Sequence, residues 1–188
     1  MRPNLFLARV LYSNSNNIVN FASRVINQRN LQSMNNQFSP KISEVLIYSK
    51  EEALRLHNEC VAPEHLLLGL IRDGEGKAIQ ILRLLNLDFR SVKLRAEQSI
   101  QGSAMQEMPD ADHEIILNEK ASKIMRLCLL EARMLKAQVA DTEHILLAIM
   151  KEKDNNACRI LEENSIHYTD ILNPVSYTHL TLPTTSRV

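Results

Sequence analysis

Apolar residues recur every three or four positions along most of the chain, which predicts amphipathic helices rather than strands. The first helix begins at Pro40, behind an N-cap hydroxyl from Ser39. Its apolar face consists of Ile42, Val45, Leu46, Ser49, Ala53 and Leu56. A second helix begins at Pro63 and is apolar around its circumference, so we expect it to be buried on nearly every side. A turn at 72–76 leads to a third helix, and Asp88 caps a fourth.

The same pattern returns at an offset of 79 positions, without a gap. The run Glu-His-Leu-Leu-Leu-Gly-Leu at 64–70 becomes Glu-His-Ile-Leu-Leu-Ala-Ile at 143–149. A duplicated unit determines the fold before any single helix does. The sequence therefore predicts an all-α fold, in which two tandem four-helix repeats form a pseudo-twofold eight-helix domain.

The second copy begins its helices with other residues. We expect Asn118 and Asp141 to be the N-caps of its first two helices, because both side chains accept hydrogen bonds from first-turn amides. Thr169 or Asp170 is the expected cap of its fourth helix. That helix meets Pro174 early, and proline inside a helix removes a backbone donor, so we expect it to end there.

We divide the predicted domain, 34–174, into repeat 1 (38–100), a polar linker (101–116) and repeat 2 (117–173). Residues 1–33 are rich in Arg, Asn and Ser and contain no acid. They fit an organelle transit peptide, a disordered tail, or translated upstream sequence before a start at Met34. We favour the third interpretation, since Met34 leads directly into the first repeat. Residues 175–188 alternate Thr and Leu like a strand without a sheet, and we interpret them as non-native.

Composition narrows the possible classes of function. The chain is 45% hydrophobic, and no apolar run approaches the roughly 18 residues of a membrane span. Between residues 38 and 173 there are 17 Lys and Arg against 22 Asp and Glu, which argues against nucleic acid as a partner. Three cysteines, Cys60, Cys128 and Cys158, suggest buried free thiols in a reducing compartment.

The duplicated unit, with Glu-His-Leu-Leu-Leu-Gly-Leu-Ile-Arg-Asp-Gly-Glu-Gly-Lys-Ala at 64–78, strongly resembles the N-terminal Clp repeat domain of Clp-type AAA+ unfoldases, most of all the ClpC branch. The resemblance covers about residues 38–173. It implies a cytoplasmic chaperone module that receives adaptor proteins and protein substrates ahead of two ATPase modules. In that family the ATPase ring threads the client into a partner peptidase.

The ATPase modules, with their ATP and magnesium, have no counterpart in this sequence. The nearest approach to a phosphate loop is the segment 69–78. A phosphate loop needs Gly-Lys-Ser/Thr directly after its spacer, but Glu75 intervenes and Ala78 has no hydroxyl. We therefore expect a fragment of an unfoldase that is not an enzyme by itself and has no cofactor of its own.

The candidate binding residues are Glu64, Glu143, Thr142 and Pro63. A carboxylate near a helix N-terminus gains roughly 0.3–1 kcal/mol from the helix dipole, so both acids have a purely structural explanation. The functional interpretation is that two symmetry-related acids flank a groove and accept cationic groups. The resemblance implies that these glutamates receive phosphorylated arginine, with nearby backbone and hydroxyl donors binding the phosphate. Thr142 keeps such a hydroxyl, whereas Pro63 replaces the family's usual threonine.

His65 and His144 follow these acids, and we expect them to be core imidazoles that bond backbone carbonyls rather than ligands or bases. His57, Cys60 and His65 are close in sequence, but copy two lacks the set and no fourth ligand is evident, so we expect no metal. The leading hypothesis is a receptor for adaptors and substrates, in which removing both acids leaves the fold intact. The alternative is a structural helical domain that packs against other protomers.

Overall fold

A computed structural model describes residues 37–101 and 115–180 of the chain. Its elements follow the order α1 (Pro40–Arg55), β1 (Cys60–Val61), α2 (Pro63–Asp73), α3 (Lys77–Leu84), α4 (Phe89–Gln101), β2 (Ile116–Leu117), α5 (Glu119–Met134), α6 (Thr142–Lys151), α7 (Asn156–Glu163) and α8 (Tyr168–Leu180). The predicted all-α fold with two sets of four helices is confirmed for these residues. The two short strands were not expected from the sequence.

The two copies are superposable in register. Shifting α1, α3 and α4 by 79 positions reproduces the bounds of α5, α7 and α8. The backbone repeats its unusual conformations as well, because His57 and Lys136 both have φ 56°. Asn86 and Ser165, at 54° and 61°, form a second such pair. Both copies thus leave α1 or α5, and α3 or α7, through the same left-handed turn.

Short parallel contacts join the two copies reciprocally. Strand β1 of the first copy pairs with β2, which precedes α5. Phe38, which precedes α1, pairs with Ala140 in the matching parallel bridge. The amide of Asn118 donates to the carbonyl of Val61 at 2.9 Å, and the amide of Ser39 donates to the carbonyl of Ala140 at 2.8 Å. This exchange is the pseudo-twofold arrangement that the repeat predicted.

Helices α2 and α6 lie at the centre of the fold, as their apolar circumference predicted. Every residue from 63 to 70 and from 142 to 150 is buried. Helix α1 packs on α2 and α5 on α6, while α7 crosses to α2 and α3 crosses to α6. At Gly69 the approach of α1 leaves no room for a side chain, because a Cβ there would overlap Ser49 Oγ and lie 2.7 Å from the carbonyl oxygen of Val45. Each central helix is therefore covered by both copies.

The last helix differs from its prediction. We expected it to end near Pro174, yet α8 continues through this proline to Leu180. Ile171 and Val175 on this helix are 0% and 1% exposed. Their burial offsets the one helical hydrogen bond that proline cannot donate. The segment after Pro174 that we interpreted as non-native thus begins inside the domain core.

Side-chain caps were mostly predicted correctly. First-turn amides donate to the predicted caps Ser39, Asp88, Asn118 and Asp141. The prediction of a cap at Thr169 or Asp170 is wrong, because α8 already begins at Tyr168. The Asp170 carboxylate instead accepts from the backbone amide of His167 at 2.9 Å. The helix start is set by the repeat, with His167 in the position of Asp88.

The three cysteines are free thiols. Cys128 and Cys158 are buried, as predicted, and burial raises the pKa of the Cys128 thiol well above its usual value. Cys60 is only half-buried, because β1 lies at the edge of a cleft between the copies. Over the described ranges, no helix is long and apolar enough to cross a bilayer.

Ser165 tests the cost of the repeated left-handed turn. A residue with a Cβ in this region costs about 1–2 kcal/mol, and the Ser165 side chain is exposed. We expect Ser165→Gly to raise the free energy of unfolding by roughly 0.5–1 kcal/mol, measured by urea denaturation. Ser122→Gly, inside α5, is the matched control and should lower it by about 0.5–1 kcal/mol. A less stable Ser165→Gly variant would contradict the strain argument.

Candidate functional site

Two carboxylates lie at the beginnings of the central helices. Glu64 is the second residue of α2 and Glu143 the second residue of α6, as the sequence predicted. Only 6% of Glu64 and 1% of Glu143 is exposed. Both therefore lie in the N-terminal turn of a helix, where unsatisfied backbone amides favour negative charge. Their surroundings differ, although the backbone around them repeats.

Glu64 faces an open cleft between the two copies. The cleft has a volume of about 660 Å³. Its walls come from residues 58–65 around β1 and α2, from 118–120 before α5, and from 153–159 between α6 and α7, with a contribution from the end of α4. We call it the Glu64 cleft. Since both copies supply its walls, the cleft exists only in the assembled pair of repeats.

The Glu64 cleft holds one recessed carboxylate below a rim of exposed charged side chains, three of them basic and two, Glu59 and Asp154, acidic. Within the described parts of the chain, no side chain forms a hydrogen bond or ion pair with the recessed Glu64 carboxylate. Cations lie around it, and the exposed ones pair with other groups: Lys120 with Asp154 at 3.0 Å, Lys153 with Glu162, and Arg159 with Asn156. The arrangement suits a ligand that carries a hydrogen-bond donor or positive group next to an anion.

Glu143 lies in a closed version of the same site. Lys77, at the start of α3 in the other copy, places its Nζ 3.1 Å from Glu143 Oε1 and 3.4 Å from Asp141 Oδ2. Burial disfavours the charged amine, but attraction by the two carboxylates outweighs it and raises the pKa of Lys77. Sequence reasoning missed Lys77 as a site residue. The repeat offset could have found it, because its equivalent in the Glu64 cleft is Asn156.

Thr142, whose hydroxyl suggested a phosphate-binding site, lies at the closed site, and Pro63, which lacks a hydroxyl, lies at the open one. The Thr142 hydroxyl accepts from the Ala78 amide at 3.2 Å, and Thr142 is fully buried. Pro63 has no hydroxyl to bind the opposing loop, and it lines the open cleft. The structure thus places the hydroxyl in the closed site and the proline in the open one. Which of these residues bind a ligand remains a prediction.

The two histidines are core residues that complete the helix starts. His65 Nδ1 accepts from the Ala62 amide at 2.9 Å, while its Nε2 lies 3.1 Å from Asn58 Oδ1. His144 Nδ1 accepts from the Asp141 amide at 2.9 Å. We expected bonds to backbone carbonyls, so the predicted partner was wrong. Both rings instead take the place of the acidic residue in a capping box. Burial lowers the pKa of His65 to about 4.

The described ranges contain no metal-binding cluster, and the segment 69–78 does not have the geometry of a phosphate loop. Those residues hold no group of three His, Cys, Asp or Glu side chains placed to bind a metal ion. In the segment that approached a phosphate loop, Gly69 lies inside α2 and Lys77 is bound to Glu143. A phosphate loop has a non-helical glycine-rich backbone and a lysine free for phosphate. The geometry of this segment differs on both counts.

Comparison with known families identifies the duplicated unit. Residues 37–164 match the model of the Clp repeat (R) N-terminal domain. The chain belongs to this family. This Clp repeat domain is the non-catalytic N-terminal domain of Clp ATPases, which agrees with the prediction that the chain is not an enzyme by itself.

Curated relatives extend well beyond this domain. Over 125 residues the chain is 37% identical to the negative regulator of genetic competence ClpC/MecB of Bacillus subtilis, covering 66% of this chain and 15% of that protein. Over 136 residues it is 32% identical to the Clp protease ATP-binding subunit ClpA homologue of Porphyra purpurea, covering 72% of this chain and 16% of that protein. The chain thus spans about one sixth of these relatives.

The fold has solved counterparts. The N-terminal domain of the chaperone ClpD from Arabidopsis thaliana superposes with a TM-score of 0.60 at 18% identity, covering 79% of this chain and 97% of that one. Similarity at this identity concerns the fold alone. The eight-helix arrangement of the described residues is therefore that of Clp N-terminal domains.

His65 makes the stability of the Clp repeat domain depend on pH. Its pKa is about 4 in the fold and ordinarily 6.5, so the unfolded chain binds the proton first as pH falls. We expect this residue to remove up to about 3 kcal/mol of stability between pH 6.5 and 4. His65→Gln keeps an acceptor for the Ala62 amide and should reduce that slope, measured by urea unfolding across this range. The exposed His167→Gln variant is the control, and equal slopes for wild type and His65→Gln would contradict the assignment.

The two acids should differ in their contribution to folding. We expected from the sequence that removing both acids would leave the fold nearly intact, but Glu143 joins the copies through Lys77. Glu143→Gln should lower the free energy of unfolding by about 1–2 kcal/mol, since a partly shielded charged hydrogen bond is lost. Glu64→Gln should change it by less than about 0.5 kcal/mol. Thermal and urea unfolding of the two variants measures this, and equal effects would show that the sites are equivalent.

Proposed function

We propose that this Clp repeat domain is a protein-binding module that receives adaptors and substrates for a Clp unfoldase. The observation that supports the proposal is the Glu64 cleft, which holds a recessed carboxylate free of side-chain partners in the described ranges. A carboxylate held away from bulk water gains more from a charge-assisted hydrogen bond than an exposed one. The cleft therefore offers an incoming side chain a defined anchoring point.

The ligand that we propose for this cleft is an arginine side chain, in particular a phosphorylated one. The planar N–H groups of a guanidine suit two-point bonding to a carboxylate such as Glu64. A phosphate on the same group would lie among Lys153, Arg159 and Lys120, which line the cleft. Lys120 and Lys153 pair with exposed or half-exposed acids, so an incoming phosphate competes with weak surface ion pairs.

A docked client would remain close to the rest of the unfoldase, which raises its local concentration there. In the whole protein, ATP hydrolysis with magnesium and transfer to a peptidase would belong to other modules. In our proposal the domain itself uses no cofactor. Neither nucleic acid nor membrane is among the proposed partners, and the proposed location is the cytoplasm.

A structural assembly domain is the second candidate. Helix α5 exposes Leu130 and Met134, which are 48% and 65% accessible. Their equivalents in α1 are Glu51 and Arg55, so only one copy has this apolar face. Light scattering, together with a peptide-binding assay, distinguishes the candidates. An oligomer that does not bind peptide supports the assembly domain, whereas a monomer that binds peptide supports the receptor.

The binding test compares two acids of the same cleft. Glu64→Gln keeps the size of the side chain but removes its charge, and should weaken a peptide that carries one phosphoarginine by roughly 10- to 100-fold. Isothermal titration calorimetry measures the dissociation constant. Glu59→Gln removes an exposed charge from the same cleft and is the matched control, with an expected change below about threefold. Equal affinities for wild type and Glu64→Gln would refute the proposed anchoring role.

A further inference from the structure

The pseudo-twofold fold creates two acid sites, but their opposing loops differ. Residues 74–78 of the first copy approach Glu143, and residues 153–157 of the second copy approach Glu64. The helices that follow these loops have equivalent bounds. The difference between an open and a closed site therefore comes from side chains and not from the arrangement of the helices.

Lys77 occupies the position that an external cation would take in the Glu143 site. Its amine contacts Glu143 and Asp141 together, while 52% of the Lys77 side chain remains exposed. The Glu143 side chain, in contrast, is 1% exposed. The lysine thus covers the carboxylate from the solvent side. At the equivalent position of the other site, Asn156 carries no charge and bonds to Arg159.

The loop that carries Lys77 is held against the site by close backbone contact. The Ala78 amide donates to the Thr142 hydroxyl, and Gly76 lies so near that a Cβ would be 2.7 Å from Thr142 Oγ1. The amide of Gly76 also donates to Asp73 Oδ2 at 2.8 Å. Only a residue without a side chain allows this approach.

In the described ranges, the equivalent loop of the Glu64 cleft forms no hydrogen bond to Pro63 like the one that Ala78 forms to Thr142. Where the first copy has Gly76, the second has Asn155, whose Oδ1 accepts from the Cys158 amide at 2.7 Å. Its Nδ2 donates to the carbonyl of Ile149 at 3.0 Å. These bonds lie within the second copy, and Pro63 has no hydroxyl that could accept from Ala157, the equivalent of Ala78. The cleft stays open as a result.

We propose that Lys77 is an intramolecular occupant of the Glu143 site, so that the domain has one open receiving site, at Glu64. The inference rests on the proposed function and specifies its stoichiometry. Because Lys77 and Asn156 are equivalent by the repeat, their exchange should move the open site from one copy to the other. The residue at this position covers or exposes the carboxylate, while Thr142 and Gly76 hold its loop in place.

The first experiment opens the closed site. Titration calorimetry with the phosphoarginine peptide should give one site per chain for wild type and a second, weaker site for Lys77→Asn, because Gly74 and Gln80 stand where the Glu64 cleft has Lys153 and Arg159. The second site should disappear again in Lys77→Asn/Glu143→Gln. Lys123→Asn is the matched control, because it removes an exposed lysine that pairs with Glu152 elsewhere, and it should keep one site. Circular dichroism and thermal unfolding check that each variant is folded.

The second experiment closes the open site and does not depend on the folding of Lys77→Asn. Asn156→Lys places an amine opposite Glu64, on a partly exposed residue, and should weaken the peptide more than tenfold. The double variant Lys77→Asn/Asn156→Lys should recover one site. That site should be sensitive to Glu143→Gln and insensitive to Glu64→Gln, whereas the wild-type site should show the reverse.

The outcomes separate this inference from the proposed function. One site that depends on Glu64 in both wild type and Lys77→Asn overturns the role of Lys77 and leaves the receptor proposal standing. Two sites in wild type overturn the inference as well. If Lys77→Asn binds the peptide and wild type does not, the role of Lys77 is supported and the proposal that Glu64 receives the ligand is refuted. Absence of binding in every folded variant overturns both proposals.

Discussion

The burial of two apolar helices is the constraint on which the domain depends. Helices α2 and α6 are buried along almost their whole length, and the helices of one copy cannot cover its own central helix on every side. Each is completed by a helix that crosses from the other copy, α7 on α2 and α3 on α6. The reciprocal strand contacts fix the copies in that position. We therefore expect the two repeats to fold as one cooperative unit.

The same constraint creates the sites. A crossing helix brings its preceding loop to the N-terminus of the central helix that it covers, so each acid meets a loop of the opposite copy. The repeat therefore has two acid sites of this kind, and side chains that differ between the copies make the two sites unlike. Lys77 and Thr142 close one, whereas Asn156 and Pro63 leave the other open. Because buried hydrogen bonds need matched partners, a few side chains are enough to change a site without changing the fold.

The buried glutamates Glu52 and Glu131 have the same role in the two copies, although their partners differ. Glu52 is buried in α1; desolvation opposes its charge, but Arg55 and Arg72 outweigh this and lower its pKa. Its counterpart Glu131 is fully buried and bonds to Lys151 and to the hydroxyl of Tyr168. In both copies a carboxylate ties the first helix to other elements of its unit. Because these equivalent carboxylates hold equivalent elements together, the two copies keep the same fold although other residues differ.

The sequence by itself determined the helix class, the number of helices in the described ranges, the register of the repeat and most of its caps, because these depend on local periodicity and on side chains within one turn. The position of Glu64 and Glu143 at their helix starts followed for the same reason. Only the tertiary structure decided that α8 continues through Pro174, since that depends on the burial of Val175. It also decided which acid is paired with a lysine of the other copy, because Lys77 reaches Glu143 from 66 positions away in the chain. Contacts between the copies depend on packing, which no local pattern records.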